Sequence, residues 1–255
     1  MPFPAPHNAA IADLRRLLPL LEGEPAARAH LPFGIPAIDR HLPHGGLPLG
    51  ALHEVRALDF PALPAAFGFS LAMLGRINRS KPLILIAGRN LAEHGRVYYH
   101  GLAALGLDPE RLIWVAPRDR LQSLWAMETS LRSGVPAAVI AMIDEDLRLN
   151  DSQRLQLAAK TAGIPLVLVS ARKAARSNVA VTRWTIDAAP AGRDRFGLIA
   201  QARWRVKLER CRNGRPGEWL MEWNHVAYRF RLAAALADPA LSESPRDSAA
   251  WRRTG

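Results

Sequence analysis

Ala202, Trp204, Val206 and Leu208 interleave with Arg203, Arg205, Lys207 and Glu209 near the C-terminal end of the 255-residue chain. A two-residue period puts Arg203, Arg205 and Lys207 on one face of a strand, about 7 Å apart. That spacing is close to the phosphate separation on a stretched nucleic-acid strand. The same charges equally suit a solvent-facing strand that uses charge to prevent edge association. Arg172, Lys173 and Arg176 form a second basic cluster, after the apolar run Pro165–Ser170. They fit either phosphate contact or a solvated basic loop. Trp204, Trp219 and Trp223 offer rings on which bases stack, but the apolar strand face is where core packing places them. The eight His show no metal spacing with Cys or carboxylates. Asp144, Glu145 and Asp146 read as a solvated acidic loop, and Ser70 and Ser170 lack a His/Asp arrangement. No metal, cofactor or catalytic residue is expected from these patterns.

These residues need elements to position them. Residues 9–22 carry Ile11, Leu14, Leu17, Leu18 and Leu21 at helical spacing, ahead of a Pro-bounded linker at 25–32. Turn-rich sequence through Gly50 leads to a short strand at 51–55. Helices at 64–78, 91–105, 120–132 and 152–162 then alternate with apolar strands at 82–87, 112–116, 137–143 and 165–170. Continuous apolar runs between helices predict a parallel sheet buried on both faces, in an α/β architecture. After Ala171 the pattern changes. Strands at 179–187, 200–211, 218–223 and 227–232, with a turn at Asn213–Gly217, predict an antiparallel extension. The organisation expected is an N-terminal helix and linker (1–30), one main domain (31–235) and a flexible tail (236–255).

Charge follows the same division. Residues 1–150 hold 15 Lys/Arg against 14 Asp/Glu, whereas 151–255 hold 19 against 9. A basic half points to nucleic acid or an acidic protein partner. A single cysteine, Cys211, excludes a disulfide scaffold. No apolar run reaches the roughly 18 residues of a membrane span. The first residues lack a signal-peptide pattern, so a cytoplasmic protein is expected.

Gly34-Ile-Pro-Ala-Ile-Asp39, Gly45-Gly46-Leu-Pro-Leu-Gly50 and Ala51-Leu-His-Glu-Val55 together resemble the segment preceding the P-loop of RecA-like ATPases. Gly101 to Trp114 and Leu131-Arg-Ser-Gly134 continue that likeness, which covers roughly 30–235 and implies a RecA-like core. A P-loop needs glycine amides to cradle phosphates, a Lys to reach them and a hydroxyl for magnesium. In this register Ala57 and Ala62 occupy glycine positions, Leu63 replaces the lysine and Pro64 the Ser/Thr. Arg89 falls where such ATPases carry a catalytic glutamate, and Met142 where a magnesium-binding Asp is expected. The resemblance therefore implies a fold that does not hydrolyse ATP.

A RecA-like core without a P-loop resembles the SulA/ImuA group, and more closely the ImuA family. That match rests on Ala138–Ile143, Arg154–Ala159, Ala162–Pro165, Thr182-Arg-Trp184 and the long run Trp204–Trp223. It implies an SOS-induced accessory protein of error-prone translesion synthesis. Such a protein acts beside an ImuB-like protein and an error-prone replicative-type polymerase alpha subunit, with RecA and DNA as further contacts. The segment from about Trp219 through the tail is expected to dock the ImuB-like protein. Leu14, Leu17, Leu18 and Leu21 are candidates for self-association or for covering their own core. The alternatives are an ATP-dependent RecA-like recombinase and a SulA-like cell-division inhibitor.

Overall fold

The computed structural model describes residues 29–77, 80–88, 97–143, 147–171, 179–193, 196 and 198–233. The helix predicted at 9–22, the tail from 236 and the loop residues Arg89, Asp144, Glu145, Asp146, Arg172, Lys173 and Arg176 lie outside them.

Leu47 and Pro48 (β2) return antiparallel on His30 and Leu31 (β1). Between them, one turn of helix, Pro36–Asp39 (α1), is held by its own last residue. The Asp39 carboxylate accepts the amides of Phe33, Gly34 and Ile35 at 2.7, 3.0 and 3.0 Å. Gly34 has φ 76°, a left-handed conformation glycine adopts at little cost.

The main sheet has nine strands in the order β11-β10-β9-β8-β3-β7-β6-β4-β5. Its parallel part comprises Leu52–Ala57 (β3), Leu83–Ala87 (β4), Leu112–Val115 (β5), Ala138–Met142 (β6), Leu166–Ser170 (β7) and Thr182–Arg193 (β8). Ile199–Cys211 (β9), Gly217–Asn224 (β10) and Arg229–Leu232 (β11) then add antiparallel. This is the predicted architecture: a mostly parallel sheet, flanking helices and an antiparallel C-terminal extension. β8 runs six residues past its predicted end because it pairs with the long β9 through register shifts near Ala189–Arg193.

Among the described residues, four longer helical segments flank the sheet: Leu63–Leu74 (α2), Tyr99–Ala104 (α3), Arg120–Arg132 (α4) and Leu149–Ala162 (α5). Asp119 starts α4 by accepting the amide of Gln122 at 2.8 Å. Gly163, with φ 68°, ends α5 in the left-handed cap. α2 stops before Gly75, short of the predicted end at Asn78, and a side chain at Gly75 would run into Leu107.

α2 covers one sheet face. There the rings of Phe69, Trp184, Trp204, Phe230 and Phe33 pack, mostly tilted or edge-on, with centroids 5.5 to 6.4 Å apart. Burying each such ring contributes about 1.5–3 kcal/mol. α4 and α5 cover the opposite face, over Leu52, Ile86, Val139, Ala141, Leu166 and Leu168. On that face the side chains of β8–β11 are exposed or partly exposed.

Candidate functional site: a closed loop and a charge-paired sheet face

The loop after β3 is the segment that the sequence reading takes as a degenerate P-loop. Ala57 ends the strand, and Leu58 donates its amide to Ile186 O at 2.9 Å. Asp59 Oδ1 accepts the amide of Ala62 at 2.9 Å, and the amide of Leu63 goes to Phe60 O at 3.1 Å. Pro61 and Pro64 have no N–H to offer. The amides of Ala62 and Leu63 are thus engaged within the loop, that of Leu58 on β8, and the Asp59 carboxylate stands beside them. Leu63, read from the sequence as replacing a P-loop lysine, is the first residue of α2, 7% exposed and part of the hydrophobic core. Pro64 faces outward. Met142 is the last residue of β6, half-buried.

Arg203, Arg205 and Lys207 do share one face of β9, on the side that α4 and α5 leave uncovered. The neighbouring strands place carboxylates beside them. Arg203 Nη2 lies 3.2 Å from Glu222 of β10, and Arg205 Nη1 lies 3.3 Å from Asp187 of β8. Lys207 is exposed and stands between Thr185 and Glu218 in register. Glu209 accepts from the Thr185 hydroxyl at 2.8 Å. Two members of the basic stripe, Arg203 and Arg205, are thus in cross-strand ion pairs.

The tryptophans lie on the other side. Trp204 and Trp223 are buried, and Trp223 Nε1 donates to Ala104 O at 2.9 Å, tying β10 to α3. Trp219 is half-buried, edge-on to His41 with centroids 5.1 Å apart. His41 holds the 213–217 turn through its Nδ1 and Pro216 O, 2.8 Å apart. Cys211 is partly covered, and burial pushes its thiol up to about 11, which keeps it protonated and unreactive.

Sequence reasoning missed a polar line through the central strand. β3 is buried at all six positions, although it contains His53, Glu54 and Arg56. Glu54 accepts from Arg56 and from Arg183 of β8. The readable signal was two charges at i and i+2 inside an otherwise apolar strand. Leu14, Leu17, Leu18, Leu21, Arg172, Lys173 and Arg176 lie outside the described residues, so they are not placed on any surface. Among the described residues, no cluster of three or more His, Cys, Asp or Glu could hold a metal ion.

No family model matches the chain. It is 38% identical over 228 residues to Protein ImuA of Caulobacter vibrioides, in each of two strains. The match covers 82% of this chain and 90% of the relative. That identity, spread over nearly the whole of a curated relative, places the chain in the ImuA family.

Proposed function

We propose that the chain is a non-catalytic accessory protein of SOS-induced, error-prone translesion DNA synthesis. In this reading a RecA-like platform, its nucleotide loop lost, serves as an adaptor between an ImuB-like protein and an error-prone polymerase alpha subunit. RecA and non-specific DNA are secondary contacts. The observation that carries the non-catalytic part is the loop after β3, where Asp59 and the core residue Leu63 stand in place of a phosphate cradle. Membership of the ImuA family supports the pathway, and the basic C-terminal half supports work close to nucleic acid.

Two measurements test the reading. Isothermal titration with ATP and magnesium is expected to give no heat of binding. Micromolar affinity lost on changing residues 57–64 would contradict the non-enzymatic part. A pull-down with tagged full-length chain from DNA-damaged cells is expected to recover the ImuB-like protein by mass spectrometry. Its absence, with the bait folded, would contradict the adaptor part.

A further inference from the structure

Glu54 Oε1 accepts from Nε and Nη2 of Arg56 at 3.0 and 2.8 Å, and its Oε2 accepts from Nε of Arg183 at 2.7 Å. One carboxylate holds two guanidiniums, whose side chains are only 10% and 17% exposed. A third, Arg210 of β9, stands opposite Arg183 in register and donates Nη2 to Ala180 O at 2.6 Å. Its pKa is pushed down, first by burial and next by Arg183, while Glu54 acts the other way. Arg183 Nη2 is buried and has no hydrogen-bond partner among the described atoms. An unmatched buried donor costs about 1–3 kcal/mol, more when charged. Repulsion between the guanidiniums also grows as water is excluded. A group with more than one negative oxygen is the chemical complement of this arrangement.

Position supports the same conclusion. On this face α5 packs over Leu52, Leu166, Leu168 and Ala180, and the uncovered strands begin immediately beyond. Glu54, Arg56 and Arg183 lie on the line between the two halves. Arg56 is in register with Ser170, the last residue of β7. From Arg56 the same cross-strand row passes through Thr185 to the exposed Lys207.

We propose that Arg56, Arg183 and Arg210 form a phosphate-binding site, with Glu54 positioning the first two. Guanidinium forks match phosphate oxygens in geometry and charge. The site borders an open sheet face, so it admits a phosphodiester of single-stranded nucleic acid as well as a free phosphate. It needs no protein partner and stands apart from the adaptor reading.

The test melts the full chain in sodium phosphate and in sodium chloride at equal ionic strength. Phosphate is expected to raise the melting temperature, because a ligand of the native state stabilises it by mass action. Arg210→Gln is expected to bind phosphate about tenfold more weakly, the loss of one charge-assisted bond, and to lose most of the rise. Glu54→Gln is expected to gain more from phosphate than the wild type, because phosphate then supplies the missing countercharge. Equal melting in both salts, or an undiminished rise in Arg210→Gln, overturns the proposal. Should Arg210→Gln not fold, Arg210→Lys keeps the charge without the fork and is expected to show a reduced rise; an undiminished one overturns the site. Anisotropy of a labelled oligothymidylate separates the sources. Binding displaced by phosphate and weakened in Arg210→Gln assigns the site to nucleic acid. A phosphate rise without oligonucleotide binding assigns it to a free phosphate. A failed pull-down of the ImuB-like protein changes none of these readings.

Discussion

His53 is fully buried, with Nε2 2.8 Å from Pro48 O and Nδ1 2.8 Å from Thr182 Oγ1. A carbonyl only accepts, so Nε2 carries the proton and Nδ1 accepts from the Thr182 hydroxyl. That oxygen in turn accepts from Trp184 Nε1 at 2.8 Å. The ring is neutral, and burial pushes its pKa from 6.5 down to about 4. The unfolded chain therefore binds the proton at a higher pH than the folded one. The stability that His53 contributes is complete above pH 6.5 and is lost as pH falls towards 4. The loss amounts to about 3 kcal/mol at one pKa unit per 1.36 kcal/mol. Urea unfolding at several pH values should show this slope in the wild type, while His53→Gln should lack it. A wild-type minus variant difference that stays flat between these limits would contradict the assignment. None of this was legible in the sequence, because Thr182 lies 129 residues from His53 and Leu52–Ala57 reads locally as a strand with a stray histidine.

At the scale of elements, the apolar strands and amphipathic helices were legible because their periods are local properties of the chain. Arg120–Arg132 forms as read, since Asp119 and the Ser133-Gly134 pair mark its ends. The role of β9 was only half legible. Alternation placed Arg203, Arg205 and Lys207 on one face, but their carboxylate partners come from strands whose register no local pattern specifies. The loop before α2 was read as lacking phosphate-binding residues; that Asp59 closes on Ala62 and that Leu63 turns into the core was not legible. Leu63→Lys is therefore expected to disturb the fold itself. It forces a cation into a core position, and denaturant melts are expected to show about 2–4 kcal/mol of destabilisation. Titration with ATP should remain without heat. A variant as stable as the wild type would place Leu63 at the surface instead.

For the whole molecule, the basic excess of the C-terminal half belongs to residues 151–235 and not to 236–255. Residues 236–255 hold three Arg against three acidic residues, so 151–235 carries the entire surplus of that half. Part of it is matched on β9, and Arg212, Arg215, Arg229 and Arg231 are exposed. Non-specific attraction to DNA should then come from the domain, with a slope of about −0.9 in log K against log salt per phosphate neutralised. Deleting residues 237–255 leaves every described core residue in place. The truncated chain is expected to keep its melting temperature and its salt slope on DNA while capturing the ImuB-like protein more weakly. Capture at wild-type affinity would move that contact into the strands before Leu232.

The place of β3 in the sheet has a consequence for synthesis. It emerges early, yet its neighbours are β7 and β8, with Leu52 in register with Leu166 and His53 with Thr182. Until Leu166–Ser170 has been made the strand has neither of its lateral partners, and Glu54 lacks Arg183 until β8 follows. β8 to β11, by contrast, pair with their immediate successors and close quickly once made. Distant pairing is slow, and unpaired strand edges invite association. A nascent chain stalled before Thr182 would present an apolar strand with charges set into it, a natural binding target for a chaperone on the ribosome.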